Sequence, residues 1–152
     1  MGAITIIRER AIHQPARQVW RVLGDYRRDP DWRTGVTTMT IDRDPPVVGA
    51  RTVEHLELGG RRYRNVAELT DVTDLAISWR TVEGARASGA RSVRPLDSGG
   101  CLARLELVVT PAGAERLLAP VLARMLRRNM AADLVRLAEL AERASSEDRA
   151  SR

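Results

Sequence analysis

A chain of 152 residues, 43% apolar and 30% charged, has the size and mixture of one globular domain, which excludes a disordered or fibrous protein. Its net charge of +5 comes from arginine alone, with no lysine present; those arginines are scattered among Asp and Glu, so no basic stripe marks a nucleic-acid partner. No segment reaches the ~20 apolar residues of a membrane span, residues 1–10 lack the apolar run of a signal peptide, and the single cysteine, Cys101, rules out an internal disulfide and fits a reduced, cytoplasmic setting.

In chain order, residues 3–10 alternate and are rich in Ile and Thr, which predicts a strand. Pro15 supplies a first helical position, Val19 and Leu23 follow at i, i+4, and Gly24 fits a stop, so residues 15–23 read as a short helix. Asp29-Pro30-Asp31-Trp32 reads as a second short helix or turn, because Pro30 prevents continuation of the first. Six strand-like runs come next, over 35–42, 50–58, 61–71, 75–82, 88–94 and 101–110. Gly59-Gly60 is a hairpin signal, and the short links suggest an antiparallel meander. From 112 to 144 the period becomes helical, with a kink or fresh start at Pro120. Leu122, Leu126, Met130, Leu134, Leu137 and Ala141 make one apolar stripe along it. Residues 1–145 therefore read as a single domain and 146–152 as a disordered, polar tail. An amphipathic helix of this length needs a sheet face to cover it, and no other element is long enough. A strongly curved antiparallel sheet touches such a helix along only part of its length, which leaves room for a guest.

The order of elements and several short motifs resemble the START-like (SRPBCC, helix-grip) superfamily, and within it the polyketide cyclase/dehydratase-like proteins. The resemblance covers residues 3–144. It is carried by Pro15 to Leu23 with Val19-Trp20, by Asp29-Pro30-Asp31-Trp32-Arg33-Thr34-Gly35-Val36, and by Pro46-Val47-Val48-Gly49. Ile77-Ser78-Trp79-Arg80 with Glu83-Gly84, Pro111-Ala112-Gly113, and the ending from Leu134 to Glu142 complete it. Each motif is short; their joint order is what matches. The resemblance implies an α+β helix-grip fold, about seven strands wrapped around a long C-terminal helix, with an internal cavity for a small apolar or polyketide-like ligand. It implies binding more firmly than any one reaction, because fold does not set chemistry.

Side chains that break the apolar pattern are the candidates for function. On the last helix Asn129 and Asp133 share a face; Asp133 falls within the apolar stripe, where a carboxylate needs a partner. A buried, hydrogen-bonded Asp133 is the plain reading, and a ligand-facing role suits Asn129 better. His55 lies on one strand face with Val53 and Glu57, while Glu54, Leu56 and Leu58 share the other. Pointing inward it is the obvious acid or base near neutral pH; pointing outward it is a surface histidine, and the alternation leaves both open. His13, before the first helix, reads as structural. Tyr63, Asn65, Ala67 and Leu69 share the less charged face of the next strand, so Tyr63 is placed to donate to a carbonyl and Asn65 to orient it. Arg91 sits among small residues: inward, it can stabilise an enolate or carboxylate; the general exposure of arginine favours outward. Trp79 alternates with Leu75 and Ile77 and should face the core. Trp32, by resemblance, lies in the turn that closes one mouth of the cavity. Tyr26 is nearby in sequence, and Met39 and Met125 complete the expected lining. Cys101 reads as inert. The sequence holds no phosphate loop, HExxH or Cys/His cluster, so no cofactor or metal is expected. Three functions stay open: a cyclase or dehydratase acting on a poly-carbonyl chain, a non-catalytic carrier or sensor of a lipid, quinone or polyketide product, and an interaction module. A homodimer is one arrangement open to the chain.

Overall fold

The structure, a computed structural model, describes residues 2–152. Strand β1 (Ile4–Ile12) leads into helix α1 (Ala16–Leu23), a 3-10 turn (Tyr26–Arg28) and the single-turn helix α2 (Asp29–Trp32). Strands β2 (Val36–Ile41), β3 (Arg51–Leu58), β4 (Arg61–Val72), β5 (Ala76–Glu83), β6 (Arg86–Pro95) and β7 (Cys101–Thr110) follow. A second 3-10 turn (Gly113–Leu118) then precedes the long helix α3 (Ala119–Ala150). Pro120 sits in the first turn of α3, so the helical stretch makes a fresh start there, where a missing N–H costs nothing. α3 runs on to Ala150 through exposed residues that the sequence reading assigned to a disordered tail. In these last turns Ser146 Oγ donates to the Glu142 carbonyl at 3.2 Å.

The seven strands form one antiparallel sheet in the order β1-β7-β6-β5-β4-β3-β2. Strands β2 to β7 are a meander, and β1 closes beside β7 with Ile4 opposite Val109 and Ile12 opposite Cys101. Register shifts in β2 and twice between β4 and β5 bend the sheet. Gly35 makes the entry to β2 possible: its φ is +79°, and a Cβ there would collide with the Glu57 carbonyl oxygen.

Two apolar clusters result. In the larger, Val19, Val22 and Leu23 of α1 and Leu134, Leu137 and Ala141 of α3 pack on Ile6, Ile12, Ala103 and Leu105 of the sheet. The smaller gathers Tyr26, Val36, Met39, Ala50, Leu69 and Ile77, with Trp79 and Leu56 against them. This is the helix-grip arrangement. Among the described residues no helix is long and apolar enough to cross a membrane.

Candidate functional site

Between the N-terminal half of α3 and the concave faces of β3 to β7 the side chains do not meet, and a cavity of about 190 Å³ remains. One water-sized sphere needs ~10–15 Å³ on this measure, so the space suits a small organic molecule. Leu56, Leu58, Trp79, Leu105, Leu107, Leu122, Leu126 and Met130 supply most of its apolar wall. Gly89 lets Trp79 lie flat across β6, because a Cβ on it would come within 2.6 Å of the indole.

Strand alternation decides which candidates reach this space. On β3 the face carrying Thr52, Glu54, Leu56 and Leu58 lines the cavity. His55 therefore points outward, exposed, with Nδ1 2.8 Å from Thr38 Oγ1. Burying two leucines outweighs the one carboxylate that comes in with them, and that carboxylate is paired. His13 is exposed as well. On β4, Tyr63, Asn65 and Ala67 line the cavity. Tyr63 donates its hydroxyl to Glu115 Oε1 at 3.0 Å, and Arg61 reaches the same oxygen at 3.2 Å. The tip of the β3–β4 hairpin is thereby tied to the turn before α3. Burial and the adjacent Glu115 carboxylate raise the Tyr63 hydroxyl above the usual tyrosine range. Asn129, Met39, Tyr26, Trp32 and Asp133 also border the cavity; Met125 does not, and lies instead near the hairpin tip at Gly59.

Arg91 overturns the outward expectation. It is 5% exposed and aimed into the molecule. The small residues flanking it on β6 leave room for the side chain to cross to α2, where Asp29, fully buried, accepts two bonds from Nη1 and Nη2, each 2.9 Å. Nη1 also donates to the Leu23 carbonyl at 2.9 Å. The guanidinium carbon lies 4.0 Å from the Tyr26 ring centre and 5.6 Å from that of Trp32. Burial works against the charge on Arg91, but Asp29 and the other neighbours prevail and raise its pKa.

The network continues across the wall. Arg33 donates to Asp29 Oδ2 at 3.0 Å and to Glu54 Oε2 at 2.6 Å. Desolvation opposes its charge, and Glu54 with Asp29 more than restores it. Asn65 gives its amide N–H to Glu54 Oε1 at 3.2 Å and accepts from the Ala85 N–H at 2.9 Å. A line of polar contacts thus joins β6, α2, β3, β4 and the β5–β6 turn. Asp133 anchors the next loop: its Oδ1 accepts from the Thr34 N–H at 2.8 Å, from Thr34 Oγ1 at 2.6 Å and from Arg136 Nη2 at 2.6 Å. Its role is the structural one.

Sequence reasoning missed Asp29, Arg33, Glu54 and Glu115. Glu54 was findable, as an acid on the face shared with two leucines. Nothing local separates Asp29 from Asp31. Among the described residues no three His, Cys, Asp or Glu side chains gather to hold a metal ion. Burial raises the Cys101 thiol, which keeps it protonated.

Residues 3–142 match the family described as polyketide cyclase / dehydrase and lipid transport. The chain belongs to that family. Its fold is shared by TTHA0849 from Thermus thermophilus, with a TM-score of 0.79 at 20% identity over 93% of this chain and 99% of that one. The Zhui aromatase/cyclase from Streptomyces sp. R1128 aligns with a TM-score of 0.74 at 20% identity, covering 93% of this chain and 94% of the other. A START superfamily protein from Mycobacterium smegmatis aligns at 0.75 and 13% identity over 92% and 98% of the two chains. At such identities the likeness is one of fold. No curated protein matches the chain.

Proposed function

We propose that this family member takes a small, largely apolar molecule into the cavity, and that the guest is a poly-carbonyl, polyketide-like chain that the wall folds for cyclisation or dehydration. The observation that carries the reading is the unfilled space beside α3, apolar over most of its wall and polar at a few fixed points. Membership in the cyclase/dehydrase family supports it. Holding a flexible chain in a reactive fold can by itself supply ~7–11 kcal/mol of barrier lowering in favourable cases. In this reading Tyr63, hydrogen-bonded to Glu115 at the wall, passes a proton, and Asn129 holds an oxygen. Arg91 borders the cavity, but its guanidinium is committed to Asp29 and the Leu23 carbonyl, so here it is a positioning residue.

The test is a synthetic tri-β-ketone incubated with the wild-type protein and with Tyr63→Phe. Cyclised product from the wild type, together with retained binding and at least tenfold slower turnover in the variant, is the expected result. Equal turnover in the two proteins removes Tyr63 from the chemistry.

A second reading has its own support. Neither histidine borders the cavity, and Arg91 is held in a closed pair. A carrier or sensor needs only the space. Native mass spectra showing a retained apolar molecule, with no conversion of the tri-β-ketone, favour that reading over catalysis.

A further inference from the structure

The charged groups along this part of the cavity wall are engaged in ion pairs. Arg91 is bound to Asp29, Arg33 to Asp29 and Glu54, and Arg136 to Asp133. Each of these arginines is matched by a carboxylate, so the wall carries no uncompensated charge.

Two donors stand outside this network. The Tyr26 hydroxyl and the Trp32 Nε1 are sealed from solvent and have no hydrogen-bond partner. Both residues border the cavity, and both rings lie beside the Arg91 guanidinium, with the two donor atoms themselves covered in the empty protein. Buried donors without acceptors are rare in folded proteins and weaken them. Phenylalanine in place of Tyr26 would keep the stacking on Arg91 and remove the unpaired group, so its hydroxyl is of no service to the empty protein.

We propose that Tyr26 and Trp32 form a two-donor subsite for a neutral acceptor oxygen of the guest, a ketone or quinone carbonyl, and that this wall disfavours carboxylates. The inference rests on the reading of the cavity as a ligand site. Neutrality follows from the closed ion pairs: a carboxylate entering here would lose its water and find no free cation. Burial raises the Tyr26 phenol while Arg91 pulls the other way, so the group keeps its proton and remains a donor at neutral pH. Because both donors are covered in the empty protein, the subsite requires the rings to turn towards the cavity as the guest enters, a side-chain rotation of the kind common on binding.

Three probes of similar shape test this: 2-acetylnaphthalene, its hydrocarbon counterpart 2-isopropylnaphthalene, and 2-naphthoate, each titrated calorimetrically at pH 7. We expect the ketone to bind about tenfold more tightly than the hydrocarbon, as one to two added hydrogen bonds allow, and naphthoate to bind most weakly. Tyr26→Phe and Trp32→Phe should each shrink the ratio of ketone to hydrocarbon affinity severalfold. The ligand-free Tyr26→Phe protein should keep or raise its denaturant midpoint, which guards against a folding artefact. Equal affinity for ketone and hydrocarbon, or a preference untouched by Tyr26→Phe, overturns the subsite and leaves the cavity reading standing. Tightest binding of naphthoate overturns the claim of neutrality. Failure of all three probes to bind the wild type overturns the cavity reading and the subsite with it.

Discussion

The two halves of α3 carry the same apolar stripe and meet different surroundings. Leu134, Leu137 and Ala141 are buried against α1 and the inner face of β1 and β7. Leu122 and Leu126, on the same stripe, are only half-buried and border the cavity. What differs is the element opposite. α1 fills the concave sheet at one end, and nothing fills it at the other, where the β3–β4 hairpin bends over. A periodic stripe therefore reports that a helix face is apolar; whether that face is packed or hollow depends on a different part of the chain.

The Arg91–Asp29 pair stands where the two regions join. Its guanidinium stacks on Tyr26, which belongs to the smaller cluster, and lies near Trp32, which belongs to the packed one. Asp29→Ala leaves a buried arginine without its counter-charge and should cost about 3–5 kcal/mol, read as a lower urea midpoint. A loss under about 1 kcal/mol would mean that the two regions are not coupled through this pair.

The next largest effect contrasts the halves directly. Leu137→Ala opens a void in packed surroundings and should cost about 2–5 kcal/mol. Leu126→Ala, already beside empty space, should cost roughly 1 kcal/mol. Equal losses in urea unfolding would erase the distinction between packed and hollow.

A smaller effect belongs to Tyr26. Its pKa in the folded protein lies above the ordinary 10.0, chiefly through burial. The folded state then holds that proton more tightly than the unfolded one. Stability from this group is complete below the ordinary value and falls as pH rises from there towards the raised one. Urea midpoints measured on either side of pH 10 should drop more steeply for the wild type than for Tyr26→Phe; parallel slopes would show that the phenol is not shielded as described.

Smallest is His55→Ala. The ring lies on the convex side, so the change should stay within ~0.5 kcal/mol in stability and leave probe affinity unaltered in calorimetry. A clear loss of affinity would move the functional surface to the outside of the sheet.

The sequence disclosed one kind of information well. The period along 112–144 marked α3, and Pro120, which left a kink or a fresh start open, lies in the first turn, where a missing N–H is tolerated. The inward face of β4 was legible because its opposite face is mostly charged. On β3 each face mixes acid with apolar residues, and the side carrying two leucines can look inward because Arg33 and Asn65 meet Glu54. Arg91 was misjudged because its partner is 62 residues away in the chain. Pairings of that kind have no local signature. The fold family was readable from the joint order of short motifs, whereas the site depended on contacts that only the folded chain creates.

The unfilled space beside α3 also bears on how its guest can be found. A molecule that occupies it only in the folded state stabilises the protein by mass action, about 2.7 kcal/mol at a hundredfold excess over Kd. For a domain of this size each kcal/mol raises the melting temperature by roughly 2–4 °C. Heating the protein in the presence of a chemical library thus turns the hollow into its own reporter.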